Sequence, residues 1–226
     1  MPKKYSYWVS SGKYSMMQKA IVLLFGVLSF MILARALDQQ SLGVWGLFLI
    51  ISSIVETLRN SLIRNGYILF INTKNEDEHA GVEYAAVFIN IFFSLLLVAI
   101  FLPFSPYMQG LFNAPGLAEL LYFFCITLLV LIPFSYLEIF LVSRFDFRAV
   151  FWMYFSRNGL MLSFIAFYFF SGQIITLPFL AIIYLISTVV GLLTGLYLSR
   201  IHKKAIIKKD LPFLSRFISF SKYVFG

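Results

Sequence analysis

The sequence predicts an all-α integral membrane protein built as a six-transmembrane-helix bundle, and three observations carry that expectation. The chain has 226 residues, of which 61% are hydrophobic and only 12% charged, whereas a soluble domain is about half apolar and about a quarter charged. Its apolar residues fall into six runs, at about 16–37, 42–63, 84–104, 118–142, 149–170 and 177–198. Each run reaches the roughly 20 residues that a helix needs to cross about 30 Å of hydrocarbon. None alternates apolar and polar residues as a barrel strand would, and backbone groups in lipid must be satisfied internally, so helices are expected.

The first run is a retained helix and not a cleaved signal. Ala34-Arg35-Ala36 superficially resembles a cleavage site, but the basic leader is long and the apolar core continues into Leu37. The second run follows a short polar turn, and Trp45 near its outer end suits an interfacial aromatic. Pro133 makes the fourth run prone to a kink. The fifth run carries Arg157 and Asn158 at its centre. In the sixth, Ser187, Gly191 and Gly195 form a small-residue row at spacings of four, which lets a neighbouring helix approach closely. A basic linker over 199–212 follows, and 213–226 reads as the start of a truncated seventh helix. The alternative for that last segment is an interfacial helix with Phe213, Phe217 and Phe220 on its lipid face.

The formal charge of +8 is distributed as a topology signal. Lys3, Lys4 and Lys13 precede the first run and Lys74 follows the second. Arg144 and Arg148 follow the fourth, and Arg200, Lys203, Lys204, Lys208 and Lys209 follow the sixth. The alternate connections are nearly bare: Arg35 is offset by Asp38, and 103–117 and 171–176 carry no charge. The positive-inside rule then places the amino terminus in the cytoplasm, with anionic lipid as the partner of the basic blocks. No motif for nucleic acid appears. Cys125 is the only cysteine, and His79 and His202 are isolated, so neither a disulfide framework nor a metal site is expected. No nucleophile–base pair or phosphate-cradling glycine loop is present, so neither an enzyme nor a cofactor is expected.

Polar residues at membrane depth are the functional signal. Ser53, Glu56, Asn60 and Arg64 follow spacings of three, four and four, with Arg59 beside them, and so share one helical face. The opposite face, including Ile51 and Val55, is expected to meet lipid. Glu56 lies about fourteen residues inward of Leu42, roughly 20 Å by helical rise. Glu56 and Arg59 at i,i+3 have the spacing to neutralise one another, and Arg64 is near enough to the surface to snorkel. Arg157 is nine residues from Arg148, too deep for that relief. Its internal partner is either Glu56 or Glu138, and the sequence leaves the choice open. Lys19, Glu138 and Asn158 complete the candidate substrate-binding set, although charges placed like Lys19 and Glu138 are more often anchored at the interface. Ionisable side chains inside a membrane are costly and mark substrate paths, so the first expectation is a transporter.

Two stretches carry a resemblance to a known family. In ILARALDQQSLGVWGLFLIISSIVETLRNSLIR, the first helix ends in a small-Arg-x-Leu pattern, a short polar turn follows, and Leu42-Gly43 with Trp45-Gly46 opens the next helix. In SRFDFRAVFWMYFSRNGL, Asp146-Phe147-Arg148 leads into the fifth helix. Both resemble bacterial polysaccharide (O-antigen) flippases of the multidrug/oligosaccharidyl-lipid/polysaccharide exporter superfamily, and the likeness runs over all of 1–226. That family has a MATE-like fold of two six-helix lobes and flips undecaprenyl-diphosphate-linked oligosaccharide across the cytoplasmic membrane. The resemblance implies that 1–198 is the amino-terminal lobe and that its partner is the carboxy-terminal lobe of the same chain. It also implies that Arg59, Arg64 and Arg157 pair with the lipid diphosphate, which planar guanidinium donors bind bidentately. Two other readings stay open: a multidrug or cation exporter lobe of the same superfamily, which calls for an anionic lumen, and a self-contained six-span substrate-binding subunit of an uptake system.

Overall fold

The computed structural model describes residues 2–73 and 79–199, with side chains described over 12–61 and 86–199. The acidic stretch 75–78, the linker beyond Ser199 and the expected seventh-helix start at 213–226 lie outside the described residues. The described chain is helical throughout: α1 (Pro2–Ala36), α2 (Gln39–Thr73), α3 (His79–Leu111), α4 (Leu117–Ser143), α5 (Phe147–Phe170) and α6 (Leu177–Ser199). Every predicted run is one of these helices. Five segments are long and apolar enough to cross a membrane: Gly12–Ala36, Gln39–Ser61, Ala86–Leu111, Leu117–Ser143 and Leu177–Ser199. α5 has comparable length, but Ser156, Arg157 and Asn158 at its centre lower its apolarity.

Helices α1, α2 and α3 exceed the apolar runs, because hydropathy marks the hydrocarbon boundary while helical hydrogen bonding continues past it. Thus α3 runs through Pro103 and Pro106 to Leu111, where an uncharged connection was expected to begin at 103. The turns are locally specified. Asp38 accepts the Gln40 and Ser41 amides at 3.1 and 3.0 Å, capping α2. The Ser41 side chain and amide hold that exposed carboxyl below the usual carboxylate range. Between α3 and α4, the Gln109 amide oxygen accepts the Gly116 and Ala118 amides. Gly116 sits at φ 91°, a conformation that glycine adopts without a Cβ penalty. Asp146 caps α5 by accepting the Ala149 amide at 3.1 Å. Within the helices, Thr127, Ser163, Thr188 and Thr194 each donate to the carbonyl four residues back. Those hydroxyls are thereby satisfied without leaving their own helix.

α4 is the centre of the bundle. It packs on α3 and α2 on one side and on α6 on the other, burying Leu117, Leu120, Leu121, Phe124 and Leu128 completely. α5 lies between α6 and α1, while α1 has little contact with α2, its neighbour in the chain. The bundle is therefore closed along α4–α6 and open between α1 and α2. The outer surface is apolar, with Leu23, Leu58, Phe92 and Leu193 all exposed, as hydrocarbon requires.

Two expectations for α2 are corrected by this packing. Trp45 is 1% exposed, not interfacial: it stacks on Phe48, whose ring meets Phe124 and Tyr184 edge-on. Val55 is buried and Ile51 half-buried; the exposed apolar residues of α2 are Ile50, Ile54 and Leu58, of which Ile50 and Ile54 border the opening toward α1. Both corrections have one cause. α2 is gripped by α3 and α4 along Trp45, Phe48, Ser52, Val55 and Arg59, so it divides its surface among core, cleft and lipid and does not show two opposed faces.

Candidate functional site

The opening between α1 and α2 leads into a cleft of about 760 Å³, walled by α1, α2, α5 and α6. Glu56 on α2 and Arg157 on α5 meet across it. Arg157 Nη2 donates to Glu56 Oε1 at 3.0 Å and Nη1 to Oε2 at 3.3 Å, which is the bidentate fork expected of a guanidinium–carboxylate pair. The Tyr184 hydroxyl on α6 donates to Glu56 Oε1 at 2.5 Å and accepts from Arg157 Nη2 at 2.8 Å. Of the two partners left open for Arg157, the structure selects Glu56.

The local sequence explains why the guanidinium sits there. Phe134 and Tyr184 place their rings 5.4 and 5.1 Å from Arg157 Cζ, within cation–π range. Gly191 lets α6 close on α5: a Cβ there would lie 3.0 Å from both Arg157 Cβ and Phe134 Cε2 and 3.1 Å from the Met153 carbonyl. A Cβ at Gly195 would meet Met153 and Leu137 still more closely. The small-residue row of α6 is a packing device, and what it packs is the segment that carries Arg157. The pair remains partly open to the cleft, with side-chain exposures of 9% for Arg157 and 19% for Glu56.

Arg59 behaves differently from expectation. It is 1% exposed, turned away from the cleft, and donates to Ser94 Oγ on α3 at 3.3 Å and Ser135 Oγ on α4 at 2.5 Å. Its Nε has no hydrogen-bond partner among the described residues. One helical position, about 100° of rotation, separates Arg59 from Asn60, and that rotation decides between strut and cleft wall. The i,i+3 neutralisation of Glu56 by Arg59 is therefore replaced by the pair between Glu56 and Arg157.

The remaining candidates divide in the same way. Asn60 lines the cleft and its Oδ1 has no partner among the described residues. Asn158 also lines the cleft and donates to the Tyr154 carbonyl at 2.9 Å. Glu138 lies behind the wall, accepting the Tyr154 hydroxyl at 2.8 Å, so it supports a cleft residue without facing the cleft itself. Lys19 is exposed on α1 and does not line the cleft. The side chain of Arg64 lies outside the described residues. Sequence reasoning passed over Tyr154 and Tyr184, and it read Ser187 as a packing residue only. The signal for the tyrosines was their hydroxyls, which need partners when buried in an apolar run. Ser187 is 1% exposed, lines the cleft, and its hydroxyl has no partner among the described residues.

A smaller, mostly apolar cavity of about 130 Å³ adjoins the cleft between α1 and α2, walled by Phe25, Ser29, Phe30, Leu33 and Trp45, and shares Leu49, Asn158, Met161 and Tyr184 among its lining with the cleft. The whole is a chamber with a charged pair and free amide and hydroxyl groups, continued by an apolar annex. Such a chamber has the mixed polar and apolar lining that suits a ligand with both characters. No family model, curated protein or solved structure matches the chain.

Proposed function

We propose that this chain is the amino-terminal six-span lobe of a two-lobe, MATE-like transporter that flips undecaprenyl-diphosphate-linked oligosaccharide across the bacterial cytoplasmic membrane. In this reading the amino terminus is cytoplasmic, α5 is a span alongside the five more apolar ones, and a carboxy-terminal lobe completes the cavity. The observation that carries it is Arg157: a guanidinium at membrane depth, on the wall of a cleft, with its paired donors on the Glu56 carboxylate across that wall. Planar paired donors suit a phosphate, and intramembrane arginines are retained where a path or ligand needs them. The packing of α5 between α1 and α6, each of which contains a segment apolar enough to cross, supports α5 as a span despite its polar centre. A volume of about 760 Å³ lies within the roughly 300–1,000 Å³ of small-molecule sites and suits a diphosphate with its first sugars. The apolar annex suits the adjoining prenyl carbons.

The test is glycan export in a deletion strain complemented with the full-length transporter. Arg157→Ala abolishes export at normal membrane abundance, and Arg157→Lys keeps part of it, because a point charge still attracts diphosphate without the fork. Normal export by the alanine variant at normal abundance refutes the reading.

One observation favours a second reading, an exporter of organic cations. With Arg59 withdrawn into the α2–α3–α4 core, the charges lining the cleft among the described residues are one arginine and one glutamate. A cation would bind Glu56 between Tyr154 and Tyr184. Drug resistance that depends on Glu56 and survives Arg157→Ala would select this reading over the first.

A further inference from the structure

The described part of α2 has little direct contact with α5, since α2 packs on α3 and α4 while α5 packs on α1 and α6. What joins them across the cleft is the Glu56–Arg157 pair and the Tyr184 hydroxyl that bonds to both members. The same carboxylate occupies both donor nitrogens of Arg157 that face the cleft. An arriving anion therefore has no free fork to bind, and the fork cannot be released without undoing the polar bond that ties α2 to α5.

We propose that Glu56 is an internal surrogate for the anionic ligand: it fills the fork of Arg157 and latches α2 to α5 and α6, and a diphosphate that displaces it releases α2 and widens the cleft. This rests on the reading of Arg157 as the diphosphate site. The chemistry favours the exchange, because a diphosphate brings more negative charge than a carboxylate to the same planar donors. Once displaced, Glu56 carries charge of the same sign as the ligand beside it, and that repulsion drives α2 outward. The neighbouring hydroxyl of Ser187, on the cleft wall and without a partner among the described residues, can donate a hydrogen bond to the anion that enters. The Phe48–Tyr184 edge contact keeps α2 against α6 at the core side, so the motion is a pivot about that contact. Glu56 is in this sense a positioning residue: it decides when Arg157 is available.

The experiment uses the protein in lipid nanodiscs, with Cys125→Ala and spin labels at Leu23 on α1 and Leu58 on α2, both exposed, and pyrophosphate and geranyl diphosphate as probes. Glu56→Gln lengthens the label distance with no ligand present and tightens diphosphate binding by about tenfold, the scale set by removing one competing charge interaction. Arg157→Ala abolishes binding of both probes. Equal gain for the two probes assigns the effect to the diphosphate alone, and a larger gain for geranyl diphosphate adds the apolar annex; both support the latch. If Glu56→Gln does not fold, Tyr184→Phe removes the shared hydroxyl and keeps both charges; it lengthens the distance and tightens binding in the same direction, by about tenfold, the scale of one hydrogen bond to a charged group. An unchanged distance and affinity on removing Glu56 or the Tyr184 hydroxyl overturns the latch while leaving the role of Arg157 in export intact. Diphosphate binding that survives Arg157→Ala overturns the substrate reading, and the surrogate role with it.

Discussion

Removing both members of the Glu56–Arg157 pair should cost no more stability than removing either one. Glu56→Gln leaves a guanidinium whose side chain is 9% exposed, with only the Tyr184 hydroxyl and two aromatic faces to compensate it. Arg157→Met leaves a carboxylate that is 19% exposed and hydrogen-bonded to Tyr184. Stranding one charge of a buried pair costs about 3–5 kcal/mol, whereas replacing both members by uncharged groups of similar size is far cheaper. Access to the cleft moderates both single losses, so about 3 kcal/mol is expected for each. The double variant Glu56→Gln/Arg157→Met should also lose about 3 kcal/mol or less, which gives a coupling energy of about 3 kcal/mol. The measurement is reversible unfolding of the four proteins in mixed micelles. A double variant that loses the sum of the two singles, about 6 kcal/mol, would show that the two side chains do not act as a unit. The latch and the buried-charge account of the site would then both fall.

Three further outcomes follow from the packing. Arg59→Met should fold with stability within about 1 kcal/mol of the parent, because Ser94 and Ser135 have hydroxyls that rotate to backbone acceptors and no carboxylate is stranded; loss of export by this variant at normal abundance would return Arg59 to the binding site. Gly191→Ala should lose about 1–2 kcal/mol by overpacking against Arg157 and Phe134, while Gly46→Ala, where a Cβ meets nothing within 4 Å, should gain up to about 1 kcal/mol from helix propensity; thermal unfolding compares the two. For orientation, Gly110→Cys and Gln173→Cys should react with an impermeant thiol reagent added outside intact cells and Glu76→Cys should not. Labelling at position 76 would invert the topology.

The helices themselves were readable from hydropathy, and their outer limits were not. The fourth and sixth runs, expected at 118–142 and 177–198, are helices at Leu117–Ser143 and Leu177–Ser199, because each is bounded by residues that stop a helix: Gly116 before one, and Gly172 with the short polar turn before the other. No such stop limits the amino-terminal end of α1 or the carboxy-terminal end of α2, and there both extend past the apolar boundary. The small-residue row of α6 was also readable, since spacing alone brings Ser187, Gly191 and Gly195 to one face.

The candidate site was legible as a set of residue types and not as a set of partners. That Glu56, Asn60, Arg157 and Asn158 belong together follows from the cost of polar groups in hydrocarbon, a local property of each run. Which of them face each other depends on the rotation of α2 about its axis, and that rotation is set by α3 and α4, which press on Trp45, Phe48 and Val55. The sequence by itself determined that this chain is a bundle of membrane helices with costly charges at depth, because transfer free energy is additive along the chain. Only the tertiary structure decided that Arg59 is a strut, that Glu56 answers Arg157, and that Tyr184 joins them. Those outcomes turn on about 100° of helix rotation and on contacts between residues 101 and 128 positions apart, which no local pattern encodes.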